Sequence, residues 1–109
     1  MRGGLLVTEN RRNEGRALLL LHVEWEGASG RSEARTSDLS SGGCFVDTMA
    51  QVLEGEALNF KIKLPGGDVV VTKGVVTYAY PNIGFGIRFT DMSDENKFKL
   101  ETLLESKRD

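Results

Sequence analysis

The chain has 109 residues, 39% of them hydrophobic and 28% charged, with a net charge of −2. That length supports one domain with one core, and that mix belongs to a globular protein rather than a disordered chain. A single cysteine, Cys44, and a single histidine, His22, exclude an internal disulfide framework and a Cys/His zinc cluster, and the acidic balance gives no general attraction to nucleic acid.

Residues 1–10 carry Gly3, Gly4 and one short apolar patch, Leu5-Leu6-Val7, and read as a flexible arm ahead of a domain spanning 11–109. A basic knot follows, Arg11-Arg12-Asn13-Glu14-Gly15-Arg16. From Ala17 to about Glu26 the pattern predicts a strand, with Leu19, Leu21, Val23 and Trp25 on one face and His22, Glu24 and Glu26 on the other. Gly27-Ala28-Ser29-Gly30 is a turn, and Arg31 to Thr36 is a polar second strand. Ser37 to Gly43 reads as a loop, Cys44 to Val46 as a short strand, and Met49 to Gly55 as irregular.

Alternation then resumes over 56–64, with Leu58, Phe60, Ile62 and Leu64 inward and Asn59, Lys61 and Lys63 outward. Pro65-Gly66-Gly67-Asp68 closes a hairpin onto a long β-branched strand, Val69 to Tyr80, in which Gly74 suggests a bulge or bend. Pro81-Asn82 turns the chain into a last strand, Ile83 to Phe89. After Asp91 the period changes: Ser93 caps a helix, Asp94 and Glu95 suit its positive end, and Phe98, Leu100, Leu103 and Leu104 give it a partial apolar face. About six short strands with regular turn signals predict a small closed antiparallel β-barrel, with the helix flanking one end.

The first hairpin brings distant residues together. A turn centred on Ala28-Ser29 sets residue 16 beside residue 41, so Arg12 to Arg16 meet Asp38 to Gly43 at the open end. The same register opposes Glu24 and Glu33, an unfavourable like-charge pair that a bulge would shift. Guanidinium forks match phosphate oxygens and the O6/N7 edge of guanine. Asp38 can accept from the guanine N1/N2 edge, Ser40 offers a hydroxyl, and Gly42 and Gly43 allow close backbone approach with N–H groups facing an anion. Together these suit a small guanine nucleotide.

Arg12-Asn13-Glu14-Gly15-Arg16 fits R-x-x-x-R, and Asp38-Leu39-Ser40-Ser41-Gly42-Gly43 fits [DN]-x-S-x-x-G, in that order around the first two strands. With the closing strand Gly84-Phe85-Gly86-Ile87-Arg88-Phe89, this closely resembles the bacterial PilZ domain, the receptor module for cyclic di-GMP, over residues 9–105. The resemblance implies a six-stranded antiparallel barrel with a C-terminal α-helix. It implies that Arg12 and Arg16 clamp guanine and phosphates from the arm, with Arg11 taking part, and that Asp38, Ser40 and Gly43 contact the ligand from the barrel rim. Gly15 departs from the proline or bulky residue frequent before the second arginine and leaves the arm looser.

The expected function is a cyclic di-GMP receptor that changes conformation on binding and signals to a downstream protein. The alternative is a PilZ-like adaptor for pilus or motility machinery that does not depend on nucleotide, against which the retained arginines and loop argue. A small-barrel binder of single-stranded nucleic acid would need a basic groove and exposed aromatics, which an acidic chain with 7% aromatic residues does not supply. No nucleophile–base pair, metal-ligand spacing or phosphate loop is present, so neither enzyme activity nor a cofactor or metal is expected. Cys44 reads as core, Trp25 as core or rim packing, and His22 as an outward residue with no partner carboxylate in a recognisable motif. The longest apolar run, Ala17 to Leu21, is too short to cross a bilayer, and Met1-Arg2-Gly3-Gly4 has no signal-peptide pattern, so a cytoplasmic protein is expected.

Overall fold

A computed structural model describes residues 18–107. The expected flexible arm, and with it Arg11, Arg12 and Arg16, lies outside the described residues, as does Arg108. Six strands run β1 His22–Gly27, β2 Gly30–Leu39, β3 Gly43–Asp47, β4 Ala57–Lys63, β5 Val69–Tyr80 and β6 Gly84–Thr90, followed by the helix α1, Asp94–Lys107. They close into an antiparallel barrel in the order β1-β2-β3-β6-β5-β4. Closure leaves no unpaired strand edge among them, which suits a small all-β unit.

The barrel forms because alternation fills it. Leu58, Phe60 and Ile62 of β4 point inward with Val23 and Trp25 of β1, and the Trp25 ring meets Phe85 of β6 edge-on at 5.1 Å. Leu64, expected inward, is half-buried against this core. Cys44 is buried. Asn96 N–H donates to Ser93 Oγ at the start of α1, the cap its sequence predicts. Leu100 and Leu104 enter the core, while Asn96 Nδ2 donates to Val71 O and Lys99 Nζ pairs with Asp68 at 3.2 Å, fixing the helix against the start of β5.

Four expectations need correction. Phe98 is not part of the helix's apolar face; it is 69% exposed. Two positions before Leu100 is a rotation of roughly 200°, the far side of the helix. Gly74 makes no bulge. It stays in the ladder opposite Leu58 and Phe89, and a Cβ there would lie 2.5 Å from Ile87 Cδ1, so the glycine makes room for that side chain. The bulge in β5 falls between Val76 and Tyr78.

The second strand is longer than expected and takes in Ser37, Asp38 and Leu39, because Asp38 pairs with Phe45 and the buried Leu39 with Cys44. A bulge between Thr36 and Asp38 allows that extension. The first strand is shorter and begins at His22 rather than Ala17. Just before it, Leu21 N–H donates to the Thr36 hydroxyl where a ladder would use a carbonyl, so regular pairing ends there.

Candidate functional site: the open end of the first hairpin

The β1–β2 register is the one the turn predicts: Val23 faces Ala34 and Glu24 faces Glu33. No bulge relieves that acidic pair. Lys63 Nζ lies 3.1 Å from Glu24 Oε2 and Lys61 Nζ 4.0 Å from its other oxygen. Its hydrogen bond with Lys63 and the charges of Lys63, Lys61 and His22 hold the Glu24 carboxyl below its ordinary range against a smaller desolvation effect. His22, expected to have no carboxylate partner in a recognisable motif, places Nε2 2.8 Å from Glu33 and 3.7 Å from Glu24. These three are the group among the described residues whose ligand atoms converge, within 4.8 Å of one another. The lysines already answer the Glu24 charge, so the arrangement is a cross-strand ionic network on the outer wall.

Beyond His22 the chain continues along β2. Thr36 N–H donates to Leu21 O at 2.9 Å, and the Thr36 hydroxyl donates to Leu19 O and accepts from Leu21 N–H. Residues 19–21 therefore run beside Thr36 in the direction of Asp38. Thr36 is fully buried, and sequence reading gave it no role. Its signal was a hydroxyl at an inward-facing strand position.

The loop is tied by its own polar groups. Asp38 Oδ1 accepts from Phe45 N–H at 3.1 Å across the bulge. Ser40 donates through both N–H, at 2.8 Å, and Oγ, at 3.1 Å, to Gly43 O. The Gly42 N–H expected to face an anion instead points at Ser40 Oγ, 3.3 Å away, and Gly42 O accepts from Phe89 N–H at 2.8 Å. Gly43 is buried, and a Cβ at that position would lie 2.2 Å from Ile87 O, so only glycine lets β3 approach β6 there. Thus Asp38, Ser40, Gly42 and Gly43 are brought together, and each is held in place before any ligand is considered.

One register row crosses the outer wall from this loop: Asp38 on β2, Phe45 on β3, Gly86 on β6 and Tyr78 on β5. The rings of Phe45 and Tyr78 are 6.0 Å apart, and a Cβ on Gly86 would lie 2.5 Å from the Tyr78 ring. The glycine lets the two rings close over the middle strand. Trp25, by contrast, is core, as expected.

The model of the PilZ domain family matches residues 10–106. The chain belongs to the PilZ family. PilZ domains are regulatory binding modules, and the barrel with its C-terminal helix is theirs. Among solved structures, it is similar to the Bacillus subtilis inhibitor of motility MotI/DgrA, with a TM-score of 0.73 at 18% identity over 84% of this chain and 48% of that one. It thus spans about half the length of that protein. It is also similar to the PilZ domain of CeSA from a cellulose-synthesizing bacterium, with a TM-score of 0.65 at 22% identity over 84% of this chain and 95% of that one. A third is the PilZ domain of Escherichia coli YcgR, solved with c-di-GMP, with a TM-score of 0.63 at 16% identity over 81% of each chain. No curated protein matches. Among the described residues no helix is long and apolar enough to cross a membrane.

Proposed function

We propose that this PilZ domain binds cyclic di-GMP on its outer wall at the open end of the β1–β2 hairpin, and that a partner protein reads the bound state. The observation that carries the reading is the register of that hairpin. It aligns Leu21 with Thr36, so residues 19–21, which follow Arg12 and Arg16 in the sequence, run along β2 toward the loop bearing Asp38 and Ser40. The arginines supply forks for phosphate and for the guanine O6/N7 edge, and Arg11 adds charge beside them. The Phe45 bond orients Asp38, and a carboxylate has about four acceptor positions, so it can also take up guanine N1–H and N2–H. The pre-tied loop reduces the ordering cost of binding. The rings of Phe45 and Tyr78 give a base an apolar surface along the same row.

On this reading the ligand's charge and hydrogen bonds bridge the arginines and the Asp38–Gly43 loop. The new surface made by that union is what a partner can distinguish. Calorimetric titration of the full chain tests the reading. Cyclic di-GMP should bind with micromolar affinity or tighter, about −8 kcal/mol, and GMP and GTP far more weakly. Equal affinity for all three would reduce the site to a general anion patch, and no heat with cyclic di-GMP would end the proposal.

A further inference from the structure

The wall beside the loop carries a cation that neither motif includes. Arg88 of β6 is exposed and stands opposite Gly43 on one side and Val75 on the other. Arg31, Lys61, Lys63 and Lys99 each lie within 4.0 Å of a carboxylate. Among the described residues the Arg88 guanidinium has no such partner and no hydrogen bond. Gly43 has no side chain to stand between the loop and this arginine; a Cβ there would be 3.3 Å from Arg88 Cα.

Arg88 also shares the outer face with Asp38. Arg88 follows Gly86, the β6 member of the Asp38 row, by two residues, and β6 lies two strands from β2. Strand spacing and rise then put the two Cα atoms about 12 Å apart. One aspartate, one purine and an extended arginine span that distance.

We propose that Arg88 is a further ligand-binding residue, reaching the nucleotide from the barrel wall. The proposal rests on the cyclic di-GMP reading above. Its chemistry is a planar fork offered to paired acceptors, either phosphate oxygens or the O6/N7 edge of guanine. Arg88 projects from a strand paired on both sides, so its backbone needs no ordering on binding.

The test is titration of the full chain with cyclic di-GMP for wild type, Arg88→Ala, Arg88→Lys and Lys73→Ala, with thermal unfolding of each without ligand. Lys73 is another exposed cation with no ion pair among the described residues, one strand away on β5. Arg88→Ala should weaken binding roughly 10- to 150-fold with an unchanged unfolding temperature, and Lys73→Ala should stay within about twofold of wild type. Arg88→Lys that keeps most of the affinity places the fork on phosphate, where a point charge suffices. Arg88→Lys as weak as Arg88→Ala places it on the guanine edge. The proposal is overturned if wild type binds and Arg88→Ala binds equally well, if Lys73→Ala loses as much, or if Arg88→Ala lowers the unfolding temperature. Wild type that does not bind at all overturns the functional reading itself, and this proposal with it.

Discussion

At the closed end of the first hairpin, the Glu56 carboxylate accepts from Ser29 N–H and Leu53 N–H and from the Ser29 hydroxyl, at 2.8 to 3.0 Å. Gly27 makes room for it; a Cβ there would lie 2.7 Å from Glu56 Oε2. At the open end, Asp38 and Ser40 also bind backbone, and the sequence ahead of residues 19–21 carries three arginines, Arg11, Arg12 and Arg16, with one acid, Glu14, among them. Both ends use a carboxylate to organise a turn. At the closed end its charge is answered by neutral donors of the protein, and nothing is left for a ligand to do. At the open end the proposed function adds a doubly charged anion, matched to the three arginines in the sequence ahead of β1. Polar chemistry that is satisfied internally marks a structural site, and the proposed function makes the open end a binding one.

The largest effect expected from breaking this contrast is at the closed end. Glu56→Ala removes an ionised acceptor from three donors and should cost about 3 kcal/mol of stability, lowering the unfolding temperature by about 15 °C, with cyclic di-GMP affinity unchanged. Burial pushes the Glu56 carboxyl up, but the Leu53 and Ser29 donors outweigh it and hold it below its ordinary value of 4.5. The folded state is then the stronger acid, so the unfolded chain binds more protons. Stability from Glu56 is complete above pH 4.5 and drains away as pH falls through the lower folded value. Denaturant unfolding across that acid range should show a flatter decline for Glu56→Gln than for wild type. An identical acid limb would assign the decline to other carboxylates.

At the open end the pattern reverses. Arg12→Ala and Arg16→Ala should each weaken cyclic di-GMP binding roughly 10- to 150-fold, the value of a charge-assisted hydrogen bond of about 1.5–3 kcal/mol, and leave the unfolding temperature without ligand unchanged. A variant that unfolds more easily without ligand would make that arginine structural and erase the difference between the two ends.

What the sequence made legible was local. Leu58, Phe60 and Ile62 alternate in the chain as they do in the barrel, and a turn at Ala28-Ser29 sets the pairing of Val23 with Ala34 by counting alone. The Asp38–Gly43 loop was legible through its motif. Its physical reasons were not, because they come from elsewhere: Gly43 is required by the carbonyl of Ile87, and Asp38 is set by an N–H on the next strand. Glu56 lies just before β4, in phase with its inward positions, but only the hairpin turn, reached through closure of the barrel, reveals what its charge is for. Gly74 fitted a bulge or a close approach equally well, and the Ile87 side chain decides for the second.

The smallest effect sharpens the comparison most, because it falls on the residue that ties residues 19–21 to the barrel. Thr36→Val keeps the shape of a fully buried side chain and removes its hydroxyl. Leu21 N–H loses its acceptor and Leu19 O its donor, while the backbone bond from Thr36 N–H to Leu21 O remains. One buried N–H left unpaired should cost about 1–2 kcal/mol, measurable by denaturant unfolding. Residues 19–21 also lose two of the bonds that hold them along β2, so the segment that follows the arginines is directed less firmly at Asp38. Cyclic di-GMP affinity should therefore fall by a few-fold, far less than with Arg16→Ala, since every ligand contact survives and only their alignment is loosened. Glu56→Ala, although more destabilising, should show no such loss. If the two variants weaken binding in proportion to their loss of stability, affinity follows global stability and the open end has no separate alignment to lose. If Thr36→Val alone weakens it, the anchoring of residues 19–21 is part of the binding site.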